Sequence, residues 1–252
     1  VKATIQGANT RVSLDDDGGG SFTDGDVIYV SKLTSSGNVD RSYSNIKYTY
    51  NGTEFESSKT YYFETDGSSV TFVASNFTNS TVFEFISYED QTKGLADDNY
   101  FNAKTSCSMR NPEANFEFKY CLSKITLKFS SKISSCTLSG TNIYKDALIY
   151  SGSVSANTMG DDSAESVKCY VSPETYETAE AILVPCSTDA EISIEVVSDG
   201  KTYKGTIPST TIVANTHYIY NIKINDVLTI EDGEQIQGFE DSDVTFEVES
   251  EN

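Results

Sequence analysis

The sequence predicts an all-β fold, two sandwich- or barrel-type domains in tandem with a C-terminal extension, and three observations carry that expectation. Short runs of Val, Ile, Tyr, Phe and Thr recur at steady spacing, bounded by Gly, Asn and Asp turns. Aromatics make up 12% of the chain, mainly Tyr and Phe, as suits half-buried strands with one wet face. A length of 252 residues suits two cores of roughly 100 to 130 residues better than one large one. Few helices are expected.

The first segment, Val1-Lys2-Ala3-Thr4-Ile5-Gln6, alternates small apolar and polar residues, the period of a strand with one buried face. It leads into a polar run containing Arg11 and then Asp15 to Gly20, an exposed loop well suited to proteolysis. Val27–Val30 and Lys47–Tyr50 read as strands, the latter entering the hairpin signal Asn51-Gly52. Tyr61-Tyr62-Phe63, Asp66-Gly67 and Val70–Ala74 read as a second hairpin, and Val82–Ile86 as another strand. Between Glu89 and Asn115 the pattern lapses; a helical turn fits Leu95–Ala103, and a domain boundary falls in this stretch. The pattern then resumes with Phe116, Phe118, Tyr120 and Leu122 in one phase and Ile125, Leu127 and Phe129 in the other. A change of phase within one strand predicts a β-bulge near Ser123-Lys124.

Further strands are expected at Thr137-Leu138, Ala147–Tyr150, Val167–Val171, Ala181–Val184 and Ile192–Val197. Ser198-Asp199-Gly200 turns into Lys201–Gly205 as a third hairpin, and Tyr218–Ile224 closes the second domain. The expected division is 1–114, 115–226 and a tail, 227–252. Within the tail, Val227–Ile230 is short and β-prone. Val244, Phe246 and Val248 alternate with Thr245, Glu247 and Glu249, the pattern of an edge strand or of one offered to another subunit.

A formal charge of −20 disfavours nucleic acid and anionic membrane surfaces as partners. Asp15-Asp16-Asp17 and Asp97-Asp98 lack calcium-loop spacing. Five cysteines, Cys107, Cys121, Cys136, Cys169 and Cys186, show no zinc spacing. Their pairing is open, with Cys107–Cys121 and Cys121–Cys136 among the bridges considered, and at least one thiol is left over. No segment is apolar enough to span a bilayer. Val1 does not begin a signal peptide, so a mature or trimmed form is expected, with any export signal or lipid anchor upstream. His217, the sole histidine, reads as a strand residue more than a base, and no nucleophile, phosphate-loop or metalloprotease motif accompanies it. No catalytic, metal or cofactor site is expected.

The segment from Phe116 to Phe129, with Leu122-Ser123-Lys124 followed by alternating aliphatics, resembles the start of the second domain of Bacteroidales fimbrillins. Tyr120 stands where that family often has histidine. Ile212 to Ile224, Leu228-Thr229-Ile230 and Gln235–Phe239 resemble the family's closing strands, and Ala3-Thr4-Ile5 with Arg11 its first strand and processing arginine. The resemblance spans essentially the whole chain. It implies two transthyretin-like, Greek-key sandwiches on an outer-membrane lipoprotein precursor whose mature form sits in an extracellular fimbria. It also implies assembly with other pilin subunits, the same or related. Cleavage after Arg11 would remove the strand carrying Val1, Ala3 and Ile5, and a neighbour's tail, through Val227, Leu228 and Ile230 or Val244, Phe246 and Val248, would replace it. Three such apolar side chains offer about 5–9 kcal/mol before ordering costs. Such contacts are head to tail and build a filament. The alternative that the resemblance leaves is a tip adhesin or surface lipoprotein that holds a glycan or host protein on its loops.

Overall fold

A computed structural model describes residues 2–5, 22–63, 67–78, 84–95, 100–150, 153–156, 165–186, 189–225, 228–237 and 243–244. Among these residues there is no helix. In chain order the strands begin with β1 (Lys2–Ile5), β2 (Val27–Lys32), β3 (Ile46–Tyr50), β4 (Phe55–Glu56), β5 (Val70–Ser75), β6 (Glu84–Ser87) and β7 (Phe101–Cys107). They continue with β8 (Asn115–Tyr120), β9 (Ser123–Phe129), β10 (Ser135–Gly140), β11 (Asp146–Tyr150), β12 (Ser153–Ala156), β13 (Glu165–Lys168) and β14 (Tyr170–Val171). The last are β15 (Thr178–Leu183), β16 (Asp189–Ser198), β17 (Lys201–Thr211), β18 (Thr216–Ile224), β19 (Leu228–Gln237) and β20 (Asp243–Val244).

The chain groups into two compact units. Residues 1–84, 99–121 and 149–153 form the first, and 85–98, 122–148 and 154–252 the second. The boundary expected at residue 115 lies within the stretch 99–121 that groups with the first unit.

The first unit is built on a seven-stranded sheet of order β1-β8-β7-β5-β2-β3-β4. Alternate residues point into its core: Ile28 and Val30 on β2, Phe72 and Ala74 on β5, Phe101 and Ala103 on β7, Phe116 and Phe118 on β8. Aromatic edges fill it, with Phe22 edge-on to Phe55 at 4.6 Å and Phe101 edge-on to Phe118 at 5.0 Å. The Asn51-Gly52 turn joins β3 to β4, and the Asn51 carboxamide oxygen accepts the Thr53 and Glu54 N–H groups, each at 2.9 Å.

The second unit contains two sheets, β13-β10-β16-β17 and β14-β15-β9-β18-β19-β20, which share one core. Ile125, Leu127, Ala181, Leu183, Tyr218 and Ile222 come from the longer sheet; Leu138, Val167, Ile194, Val196 and Ile207 come from the shorter. This is a β-sandwich. The β16–β17 hairpin turns through Asp199 and Gly200, at φ 49° and 73°. Two positive φ angles are the geometry that matches strand twist in a two-residue loop. Buried Tyr218 pins the approach to β18: its hydroxyl accepts the Val213 N–H at 2.9 Å and donates to the Thr211 carbonyl at 2.8 Å. A further three-stranded sheet has the order β12-β11-β6.

Three expectations need correction. Tyr61-Tyr62-Phe63 is not a strand, and β5 pairs instead with β2 and β7, so the second predicted hairpin does not form. Phe101–Cys107 is a strand from its first residue, where a helical turn was expected. There is no bulge at Ser123-Lys124, because β9 keeps unbroken register with both β15 and β18. The phase change has another cause. β8 belongs to the first unit and β9 to the second, so each strand points its apolar residues into a different core.

Gln91 is buried at 2% exposure and completes the ladder of β15 at Ile182, beyond Ala179 and Glu180, the residues that pair with β14. Its carboxamide nitrogen donates to the Ile182 carbonyl and its oxygen accepts the Ile182 N–H, both at 2.9 Å. A Gln91→Leu substitution leaves both backbone groups buried without that partner. It is expected to lower the stability of the second unit by roughly 2–4 kcal/mol. Urea unfolding followed by tyrosine fluorescence measures this; a loss below about 0.5 kcal/mol would contradict it.

Candidate functional site

The first strand sits at a sheet edge. Among the described residues β1 pairs with β8 alone, in parallel, with Lys2 opposite Asn115, Ala3 opposite Phe116, Thr4 opposite Glu117 and Ile5 opposite Phe118. Asn115, Phe116 and Phe118 thus form the edge that β1 covers, and the sequence reading did not single them out in that role. The change of phase after Leu122 was the available signal, since it separates β8 from the strand that follows.

Beside this edge lies a cavity of about 420 Å³ whose wall includes Phe116 and Ala114. Tyr43, Tyr48, Phe55, Tyr61 and Phe72 also line it, and Glu54, Glu56 and Lys59 add charge. The Tyr43 and Tyr48 hydroxyls share a hydrogen bond of 2.7 Å, and the Lys59 ammonium sits 5.2 Å from the centre of the Tyr43 ring. Burial, and then Tyr48, push the Tyr43 phenol above its ordinary range, so it stays neutral.

The tail residues divide into two groups. Leu228 and Ile230 lie on β19, are 4% exposed, and belong to the core of the second unit. Gly205 makes room for Leu228: a Cβ there would sit 2.5 Å from a Leu228 methyl carbon. Val244 lies on β20, opposite Gly233 of β19. Val1, Arg11, Val227, Phe246 and Val248 lie outside the described residues, as do Asp15, Asp16, Asp17, Asp97 and Asp98. Among the described residues no cluster of His, Cys, Asp or Glu is arranged to hold a metal ion.

His217 joins a polar cluster on the face of β15-β9-β18 away from the core. The Thr126 hydroxyl donates to Glu180 at 3.0 Å and lies 2.8 Å from His217 Nε2. Its one proton being so used, the hydroxyl accepts from His217, which fixes the tautomer with hydrogen on Nε2. Lys124 pairs with the same Glu180 oxygen at 2.6 Å. The cluster ties three adjacent strands together. Burial chiefly, with Lys124 next, lowers the His217 pKa from 6.5 to about 4, against the opposing pull of Glu180; Lys128 adds to the lowering.

The family model for fimbrillin-like proteins matches residues 10–238. No curated protein matches the chain. Among solved structures, one from Bacteroides uniformis, described as a candidate cell adhesion protein, is 20% identical with a TM-score of 0.65, covering 86% of this chain and 93% of that one. A second candidate cell adhesion protein, from Bacteroides ovatus, is 17% identical with a TM-score of 0.63, covering 99% and 97%. A fimbrial assembly protein from Parabacteroides distasonis is 8% identical with a TM-score of 0.52, covering 97% of each chain. At these identities the likeness is one of fold.

The lowered pKa of His217 has a definite sign. The unfolded chain takes up the proton first as pH falls, so the stabilising difference is whole above about pH 6.5 and is lost as pH drops toward about 4. Up to roughly 3 kcal/mol of stability is expected to disappear across that window. Urea melts at pH 7.5 and 4.5 should show the loss, and His217→Gln should reduce it. An unchanged pH slope in the variant would contradict the assignment.

Proposed function

The chain belongs to the fimbrillin-like family and is therefore a fimbrial subunit of the cell surface, and we propose that it joins its neighbours by replacement of its first strand. The observation that carries this reading is the position of β1, four residues at the sheet edge with β8 as their only strand neighbour among the described residues. Removing β1 after a cut at Arg11 would uncover the β8 backbone from Asn115 to Phe118, next to the aromatic cavity. An uncovered edge of this kind pairs readily with an added strand.

The donor is the segment carrying Val244, Phe246 and Val248. Leu228 and Ile230 are the weaker choice, because donating them would strip two buried side chains from the core of their own unit. A replacement strand longer than the four residues of β1 gains extra ladder bonds, which favours exchange over re-closure. Because donor and acceptor are different surfaces, each subunit can give one strand and take one, and the assembly grows as a filament. The two units act in this reading as transthyretin-like sandwiches, and the precursor travels as an outer-membrane lipoprotein.

A second reading, a tip adhesin or surface lipoprotein, is favoured by the aromatic cavity alone. Its rings and charged rim suit a glycan stacked on tyrosine.

Limited digestion with an Arg-specific protease, followed by native mass measurement, tests the proposal. A discrete cut after Arg11 and a ladder of head-to-tail oligomers are expected. Deleting residues 238–252, which leaves β19 whole, should abolish the ladder, and Phe246→Asp should weaken association about 10- to 100-fold. A cut protein that stays monomeric with its tail intact would overturn strand replacement. Glycan binding that survives the deletion would instead support the adhesin.

A further inference from the structure

Two of the five cysteines face each other across a pair of strands. β10 and β13 run antiparallel with Thr137 opposite Lys168 and Leu138 opposite Val167. One step along the same register brings Cys136 opposite Cys169, and a hydrogen bond of 2.9 Å from the Cys169 N–H to the Cys136 carbonyl fixes that step. Directly opposed residues present their side chains on one face of the sheet, here the core face, where Cys136 is 2% and Cys169 1% exposed. Cα atoms of a hydrogen-bonded antiparallel pair stand about 5.5 Å apart. That separation lies within the span of roughly 4.4–6.8 Å that a disulfide bridges.

We propose that Cys136 and Cys169 form a disulfide in the exported protein, joining β10 to β13 inside the second unit. The two sulfurs are not linked in the structure. The neighbouring Cys169 thiol, and then burial, hold the Cys136 thiol well above its ordinary range. Burial disfavours the Cys136 thiolate once the strands have packed, which favours closure of the bond while the chain is folding. The balanced step is thiol–disulfide exchange with a small-molecule or protein disulfide as oxidant. One cysteine thiolate attacks the oxidant and releases one of its thiols. The second cysteine thiolate then attacks the mixed disulfide and releases the other, so the protein loses two hydrogen atoms and the oxidant becomes two thiols.

Cys107 and Cys121 are poorly placed to bond to each other. Cys107 lies at the far end of β7 from Phe101, roughly 20 Å along the strand. Cys121 hydrogen-bonds through its N–H to the Tyr100 carbonyl, next to Phe101 and so at the opposite end from Cys107. That separation excludes the Cys107–Cys121 bridge considered from sequence. The compartment in which the bond would form rests on the fimbrial assignment, since oxidising surroundings outside the cytosol maintain disulfides. The pairing itself is a property of the purified chain and is tested without that assignment.

The experiment is oxidative refolding of the full chain with oxidised and reduced glutathione. Free thiols are then blocked with N-ethylmaleimide under denaturing conditions, and the digest is mapped by mass spectrometry. The expected result is one dominant cross-linked peptide pair containing Cys136 and Cys169, with Cys107, Cys121 and Cys186 alkylated. The melting temperature should exceed that of the reduced chain by on the order of 10 °C, and Cys136→Ser/Cys169→Ser should not gain stability on oxidation. Mapping uses the wild-type chain, so a variant that folds poorly leaves the test intact. Refolded protein with all five thiols alkylated, or with another pairing dominant, would overturn the proposal even if strand replacement held. A mapped bond in a chain that never oligomerises would support it while the assembly reading failed.

Discussion

A β-sheet must satisfy the backbone donors and acceptors along its outer strands, and in the first unit β1 covers the β8 edge. The cover is four residues long and, among the described residues, is paired on one side only. A central strand such as β5 is paired on both sides, by β2 and β7, and contributes Phe72 and Ala74 to the core. The two are unequal in what they hold together. Losing β5 would divide the seven-stranded sheet, whereas losing β1 leaves the rest of the sheet paired and an edge unsatisfied. The proposed removal of the first strand, and with it the assembly reading, depends on that inequality.

The second unit is built differently. Its two sheets close on one continuous core, and its margins are held by particular side chains as well as by strands. Gln91 supplies a strand's hydrogen bonds to Ile182, and Tyr218 ties the Thr211–Val213 turn to β18. β19 is woven in by Leu228 and Ile230, with Gly205 shaped to receive the first. This anchoring places β19 within the sandwich, and the segment proposed for donation lies beyond Gln237. A cross-strand bond between Cys136 and Cys169 would stiffen the same sandwich at its β10–β13 margin.

Much of the fold was legible because strand period and turn chemistry are local. Asn51-Gly52 and Asp199-Gly200 announced their hairpins, and alternation exposed β2, β8, β9, β16 and β18. Other features were not local. β7 was missed because Asn102, Lys104 and Ser106 dilute its apolar residues, and only pairing with β5 makes it a strand. Tyr61 and Phe63 read as strand residues, yet they pack as rings against Phe72 and Tyr61 in turn. The phase change at Leu122 was seen but assigned to a bulge, since periodicity cannot reveal that two successive strands face different cores. The face-to-face cysteines are 33 positions apart, so only the ladder register brings them together.

The most direct measurement of the central claim is binding of a synthetic peptide of residues 238–252 to the chain cut after Arg11, followed by fluorescence anisotropy. Strand replacement predicts saturable binding to the cut chain, none to the intact chain, and new hydrogen-exchange protection confined to Asn115–Tyr120. Equal binding to cut and intact chains, or protection that leaves Asn115–Tyr120 unchanged, would contradict the removable strand as the basis of assembly.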